Sequence, residues 1–390
     1  MKKANTSMIK LMNRELIIHE LKENPRQSRA ELAKKTKLSK PAVSEIVKEL
    51  IEEGIILEVG FGESTGGKKP ILLEYNARSN YVIGILIEND TIFIALGDMN
   101  GEIVQLIRKT YTAPIAGEVV VRMIVEGVFE LLRLENINAR SVLGMAIGVA
   151  GIQSDDDTII STSPSVDWGN LDLQKEIYDQ TSIDVIIEND VNLMTIGEFH
   201  KGEGIGIDNF VYLFVGNGIG SGLFLNGQFY KGHHSAAGET GFMMIGDETR
   251  SKPNFGVFEA NYGRLGLINR LQELNISIDK IDKERSFVKF LQENKNDRII
   301  GALLDETVEQ WAKAIINMIS MIDPEVIIFS GELKHLDVAS YQQLISIIEK
   351  YVPKIPEFKK TKLGAKAGLY GAFNLVLKKN HITGFKQYKP

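Results

Sequence analysis

The chain has 390 residues, 44% hydrophobic and 25% charged, with no cysteine. That length exceeds what one hydrophobic core serves, so two or three domains are expected, and zero cysteine excludes disulfides, thiolate metal sites, Fe–S clusters and a cysteine nucleophile. Apolar runs such as residues 142–150 fall short of a membrane span and Asn13-Arg14-Glu15 interrupts any signal-peptide core, so a soluble, cytoplasmic protein without a membrane partner is expected.

Net charge is −6, but it is unevenly spread. Residues 1–70 hold 14 basic and 10 acidic side chains, a balance of +4, and the remainder carries −10. A basic head on an acidic body fits a protein whose head alone meets a polyanion.

Residues 7–23 predict a first helix, with Ile9, Met12, Leu16, Ile17 and Leu21 as its apolar stripe and Asn24-Pro25 as its stop. Ser28-Arg29-Ala30-Glu31 is a capping box that starts a second helix. A turn follows at Thr36-Lys37-Leu38, and Ser39 caps a third helix that Gly54 ends. In that helix Val43, Ile46, Val47, Leu50 and Ile51 share one face. Ser39, Lys40, Pro41, Ala42, Ser44 and Lys48 fall on the other. Short helix, tight turn, then a helix with small and basic residues at its exposed start is the helix-turn-helix pattern. The major groove admits one helix, and base edges are reached from its N-terminal end. Residues 55–59 and 70–75 predict two strands around a Gly-rich loop, a wing that places Lys68 and Lys69 near the backbone or minor groove. A helical protein-interaction domain explains the helices, but not cap, turn, recognition face and wing in that order.

From residue 80 strands dominate. Residues 81–88, 91–97 and 102–110 predict three, the last two joined at Asn100-Gly101. A helix at 117–134, strands at 142–149 and 184–187, and a helix at 191–200 follow. The order then recurs: strands at 209–215, 222–225 and 228–231, helices at 258–274, 286–293 and 300–322, a strand at 325–330, and helices at 338–351 and 367–378. Two similar α/β lobes with a ligand cleft between them are expected. The division is 1–76 for the head, 77–190 for the first lobe with residues 367–390 completing it, and 191–366 for the second.

Glu188-Asn189-Asp190 joins a strand to a helix. Such side chains bind polyol hydroxyls or act as a base, and they equally cap a helix. The glycines of residues 216–222 permit close backbone approach to a phosphate, or simply a tight strand-to-strand loop. Residues 237–241 and Phe258-Glu259 add carboxylates. His233 and His234 have no third ligand at suitable spacing, which favours surface or hydrogen-bonding roles over a metal.

Together the winged head, Glu188-Asn189-Asp190, the 216–222 loop, Ala237-Gly238-Glu239-Thr240-Gly241 and Asp323-Pro324-Glu325-Val326-Ile327-Ile328 resemble the ROK family of sugar-responsive repressors and sugar kinases. Asn13-Arg14, residues 28–33, residues 38–44 and Gly66-Gly67-Lys68-Lys69-Pro70 resemble its xylose-repressor-like branch. The resemblance implies an α/β chain: a winged helix-turn-helix followed by a two-lobed, actin-like (ribonuclease H-like) fold. It implies sugar contacts at Asn189, Asp190, Glu239 and Glu259, with Asp190 at the kinases' base position and residues 216–222 at their phosphate loop. Expected partners are double-stranded operator DNA, a sugar effector and further copies of the chain, as a homodimer or higher homo-oligomer.

The departures are specific. Kinase members open their first lobe with an Asp and then Gly-Gly-Thr-Lys; here residues 86–91 read Leu-Ile-Glu-Asn-Asp-Thr. Glu88 and Asp90 repel phosphate, so no catalytic residue is expected. The family's zinc site uses a His and three Cys; Phe242 stands at the His position and no Cys exists. No cofactor is therefore expected. Ser165 falls where many members carry a sugar-facing Asn. The expected function is a DNA-binding repressor of carbohydrate-utilisation genes. A sugar kinase with a regulatory head, and a repressor that has lost its effector and answers to a protein partner, stand as alternatives.

Overall fold

The computed structural model describes residues 6–63, 69–153, 159–160, 165–251, 255–276 and 286–380. The head comprises α1 (Thr6–Glu23), β1 (Gln27–Ser28), α2 (Arg29–Thr36), α3 (Lys40–Glu52), β2 (Ile56–Phe61) and β3 (Ile71–Tyr75). Its core joins Ile17, Leu21, Leu32, Val43, Val47, Leu50, Ile56 and Leu73. The capping box forms, with Ser28 N donating to Glu31 Oε2 at 2.8 Å. Lys37, at φ 59°, turns the chain between α2 and α3. β3 lies between β1 and β2, and the sequence pattern gave no sign of the two-residue β1.

Helix α1 departs from its expected stripe. Ile17 and Leu21 are buried, but Ile9, Met12 and Leu16 are exposed. The head core ends near Ile17, so among the described residues no core side chain packs under the apolar side chains of the N-terminal half of α1. Charge ties that half down instead: Arg14 reaches Glu53 at 2.5 Å and Lys10 reaches Glu49 at 2.6 Å, both on or beside α3.

The first lobe contains β4 (Tyr81–Glu88), β5 (Thr91–Asp98), β6 (Ile103–Thr110), β7 (Ile115–Ala116), α4 (Gly117–Leu134), β8 (Val142–Val149), β9 (Ile152–Gln153), β10 (Ile159–Ile160), β11 (Val166–Asp167), α5 (Leu173–Thr181) and β12 (Val185–Asn189). Its main sheet runs β12-β8-β4-β5-β6. Helix α6 (Asp190–Lys201) leads into β13 (Phe210–Val215), β14 (Ile219–Leu225), β15 (Gln228–Tyr230), α7 (Val257–Tyr262), α8 (Arg264–Glu273), α9 (Phe287–Glu293), α10 (Arg298–Ile322), β16 (Val326–Gly331), α11 (Val338–Glu349), β17 (Glu357–Lys360) and α12 (Lys366–Lys379). The second sheet runs β15-β14-β13-β16-β17. In each sheet the first strand pairs antiparallel with the second and parallel with the fourth. The two lobes therefore repeat one topology.

Helices α6 and α12 lie between the sheets. Leu193, Met194, Leu369, Phe373 and Leu377 share a core with Leu86 and Ala146 of the first sheet and with Tyr212 and Ile328 of the second. The helices cross at glycines. A Cβ on Gly197 would lie 1.8 Å from Ala367 O, and one on Gly371 would lie 1.9 Å from Leu193 O.

The expected helix at 258–274 is two helices. It breaks at Gly263, because Arg264 N donates to Gly216 O at 2.7 Å and so redirects the chain onto the 216–218 turn. No helix among the described residues is long and apolar enough to cross a membrane.

Candidate functional site

The head presents α3 as an exposed helix start. Ser39 Oγ accepts from Ala42 N at 3.3 Å and caps it. Burying Val43, Ile46, Val47 and Leu50 in the head core leaves Ser39, Lys40, Pro41, Ser44 and Lys48 exposed and Ala42 half-buried. These are the six positions assigned to DNA on α3. Pro41 needs no hydrogen-bond partner for its nitrogen at a helix start. Lys48 also lies 3.8 Å from Glu52, an exposed pair of little energetic weight. Lys69 is exposed beside the wing strands. Lys68 lies outside the described residues.

A cavity of about 150 Å³ opens between the lobes. Asn189, Asp190, Glu239 and Glu259 all line it, so the fold gathers the four residues assigned to sugar from three chain segments. Ser165 and Phe242 line it too.

Asn189 ends β12 and caps α6. Its Oδ1 accepts from Asn192 N at 3.0 Å and its Nδ2 donates to Gly151 O at 3.0 Å. The capping reading of that residue is thus realised, and its position at the cavity wall is realised with it. Asp190 follows as the first residue of α6 and is 8% exposed. Its Oδ1 accepts from Val191 N at 2.8 Å. Burial pushes its carboxyl up to about 6, against the opposing pull of that backbone hydrogen bond.

Glu259 sits on α7 with both oxygens engaged. Oε1 accepts from Gly256 N at 2.9 Å and Oε2 from Ile219 N at 3.2 Å. Burial still raises its pKa. Glu239 stands beside Gly238, whose φ of 92° and close approach to Ser221 O admit no side chain. Burial, then the charges of Glu259 and Asp190, push the Glu239 carboxyl up to about 7.

Of the glycines in residues 216–222, Gly216 and Gly222 serve packing, while Gly218 and Gly220 line the cavity. Val215 pairs with Ile219, so only Gly216, Asn217 and Gly218 form the turn. Gly222 lies in β14, where a Cβ would lie 1.8 Å from Thr195 Oγ1 of α6. The Ile219 N–H is already spent on Glu259. The 86–91 stretch is a tight hairpin, with Glu88 paired to Thr91 and Asn89 at φ 55°.

Residues beyond those assigned also meet here. Glu88, Trp168, Asn217, Phe214 and Phe255 line the cavity. Glu88 was legible only as a phosphate-repelling residue, not as a cavity wall. Burial, then the Asp190 charge, push its carboxyl up to about 7. Glu188 faces Lys231 of the other lobe at 2.5 Å, a pairing with no signal in sequence spacing. His233 and His234 contact each other edge to face at 4.4 Å. Among the described residues no three His, Asp or Glu side chains are grouped to hold a metal.

Comparison with known proteins agrees with both halves of this architecture. A model described as winged helix-turn-helix DNA-binding matches residues 13–56. The xylose repressor of Caldicellulosiruptor bescii is 25% identical over 402 residues, covering 99% of this chain and 100% of that protein. The xylose repressor of Bacillus subtilis is 31% identical over 242 residues, 62% of each chain. A solved structure of a ROK family transcriptional regulator, a homolog of the E. coli MLC protein, superposes with a TM-score of 0.74 at 19% identity, covering 96% of this chain and 97% of that one. The ROK family model itself matches residues 82–379, about three quarters of the chain; the protein belongs to the ROK family.

Proposed function

We propose that this protein is a DNA-binding transcriptional repressor of carbohydrate-utilisation genes whose sugar effector binds between the lobes. One observation carries the reading: a single chain joins an exposed, capped recognition helix to a cleft walled by Asn189, Asp190, Glu239 and Glu259. Lys40, Ala42, Ser44 and Lys48 are the groove-facing set, with Ser39 and Pro41 at the helix start and Lys68 and Lys69 on the wing. The effector acts by linkage. It favours one lobe arrangement, and two heads in an oligomer then fit or miss half-sites one or more turns apart. Induction requires that sugar bind the DNA-incompetent state more tightly.

Phosphoryl transfer has no support here. Carboxylates occupy the hairpin at residues 86–91, and the glycine loop spends a donor on Glu259. The site also needs no bound metal or cofactor for this role. The protein acts where the chromosome is, in the cytoplasm.

Fluorescence anisotropy with promoter fragments of carbohydrate-utilisation genes, with and without D-xylose, tests the reading. Salt-dependent binding that sugar weakens is expected. Binding that responds to no sugar removes the effector half, and robust ADP release on a sugar panel, lost in Asp190→Asn, revives the kinase.

A further inference from the structure

Helix α1 carries an apolar stripe that the folded chain leaves in water. Met8, Met12 and Leu16 stand about one turn apart, with Ile9 and Leu11 beside them. All five are exposed, Met12 at 63%. They lie on the side of α1 away from Ile17 and Leu21, which fill the head core. Single exposed apolar side chains need no explanation, but these five leave a patch on the order of 400 Å2, a size that marks an interaction site.

Charge decides what the stripe fits. The basic side chains within it turn back onto the head: Lys10 binds Glu49 at 2.6 Å, and Arg14 binds Glu53 at 2.5 Å and Glu49 at 3.4 Å. A helix that lies on a membrane keeps its Lys and Arg for anionic headgroups instead, and a DNA backbone calls for cations rather than methyl groups. Asn13 and Glu15 are the other polar side chains between residues 8 and 16, and both are half-buried. An apolar strip whose rim charges are already neutralised matches an identical strip, which a two-fold axis through Met12 supplies.

We propose that the α1 stripes of two copies pack on each other and so pair the DNA-reading heads. The proposal rests on the DNA-binding reading for its use, not for the contact itself. The ion pairs hold the last turn of α3 on α1, and Lys40 lies nine residues before Glu49, about 14 Å away along the helix. Pairing at α1 therefore sets the C-terminal ends of both α3 helices toward the axis and their reading ends outward, as two half-sites require. The pair buries about 800 Å2, the low end for a specific contact. It is a reversible contact that DNA reinforces by seating two heads side by side.

The chain has no cysteine, so a single introduced thiol reports the contact without interference. In the full-length protein, Met12→Cys is expected to form an intermolecular disulfide on mild oxidation, because two thiols at the axis lie within bonding reach. Lys48→Cys, on the exposed face of α3, is the control and is expected to stay monomeric on a denaturing gel. Met12→Glu sets two carboxylates against each other across the axis and is expected to weaken binding to a carbohydrate-gene promoter fragment about tenfold, with Met12→Leu near the parent. Its unfolding temperature is expected to match the parent's, because Met12 lies outside the core. No more crosslinking in Met12→Cys than in Lys48→Cys overturns the proposal and leaves the DNA-binding reading standing, as does unchanged promoter binding in Met12→Glu. Anionic vesicles that bind the native protein but not Met12→Glu overturn it in favour of a membrane. Crosslinking by a protein that binds no promoter DNA upholds the pairing and counts against the reading it serves.

Discussion

Lys231 Nζ lies 2.5 Å from Glu188 Oε2, and the pair joins the two lobes beside the cleft. Glu188 is the penultimate residue of β12 and is 5% exposed. It also accepts from Asn192 Nδ2 at 2.9 Å and from Asn189 N at 3.1 Å. Lys231 follows β15 and opens the loop that carries Glu239, a loop closed by Ala237 N on Lys231 O at 3.0 Å. One ion pair thus fixes the Glu239 loop against the strand that presents Asn189 and Asp190. Removing Lys231 leaves a buried carboxylate short of its cation; since Lys231 is itself half exposed, the cost is about 1–2 kcal/mol. Lys231→Met is expected to weaken sugar binding about tenfold while DNA binding without sugar persists, with Lys231→Arg restoring part of the loss. Equal sugar affinity in Lys231→Met, read by titration calorimetry, contradicts this.

The turn after β5 connects the cleft to the head. Helix α6 begins at Asp190 in the cavity wall and ends at Lys201, which pairs with Glu102 at that turn. The same turn offers Met99 O to Lys22 Nζ of α1 at 3.1 Å. Lys22 also stacks over Tyr75 at 4.5 Å, and burial lowers its pKa to about 8. Two polar contacts thus bridge α6 to the head, a route by which a shift of α6 would be felt there. Lys22→Met is expected to keep operator affinity without sugar but to cut the sugar-induced weakening about fivefold, a coupling loss of about 1 kcal/mol. Anisotropy titrations at saturating sugar measure that ratio, and an undiminished sugar effect rules the contact out as a link.

The α6–α12 crossing tolerates no added methyl. Gly371→Ala drives a Cβ to 1.9 Å from Leu193 O, and neither helix can withdraw without opening the core that both sheets share. Overpacking of this kind costs about 1–3 kcal/mol or more. A lower unfolding temperature by differential scanning calorimetry is expected for Gly371→Ala. A Gly371→Ala protein as stable as its parent shows that the helices can part.

Much of this architecture was legible because periodicity and caps agree. Helix α4 and strand β8 occupy the residues their apolar patterns mark, and Ser28 and Ser39 cap as their spacing requires. Elements without an apolar run escaped. Strand β17 reads Glu-Phe-Lys-Lys because it is a sheet edge, and α5 is a short polar helix that buries only Leu173, Ile177 and Thr181. The break at Gly263 arises from a contact with Gly216, far away in sequence. The glycine loop is the tight strand-to-strand turn that was one of its two readings, and part of its glycine content has a tertiary cause. Gly222 answers to Thr195 of α6, a tertiary neighbour that no local pattern reveals.

The recognition helix makes a salt-sensitive prediction. Lys40 is exposed at the start of α3, the end from which a helix in the major groove reaches base edges. Lys40→Ala is expected to lower operator affinity about tenfold. If Lys40 meets a phosphate, the slope of log affinity against log salt falls by about 1. If it reads a base, the slope holds and discrimination between operator variants relaxes instead. Unchanged affinity and unchanged discrimination place Lys40 outside the interface.

The cleft carboxylates give stability an unusual pH dependence. Glu88 and Glu239 are pushed up to about 7 from 4.5, and Asp190 up to about 6 from 3.8. Between the unfolded and folded values the folded state holds more protons than the unfolded chain, so stability falls as pH rises through that window. Below about pH 4 the groups are neutral in both states and the penalty is absent; above about pH 7 it is fully expressed. Glu88→Gln removes one such charge. Its unfolding temperature is expected to exceed that of the parent by about 1–3 °C at pH 7.5, with the gap closing as pH is lowered toward 5. Parallel thermal-melt profiles for the two proteins across pH 5 to 8 refute this account of Glu88. A gap that closes places the cost of this cleft in its buried carboxylates, a cost that a ligand donating hydroxyls to them would offset.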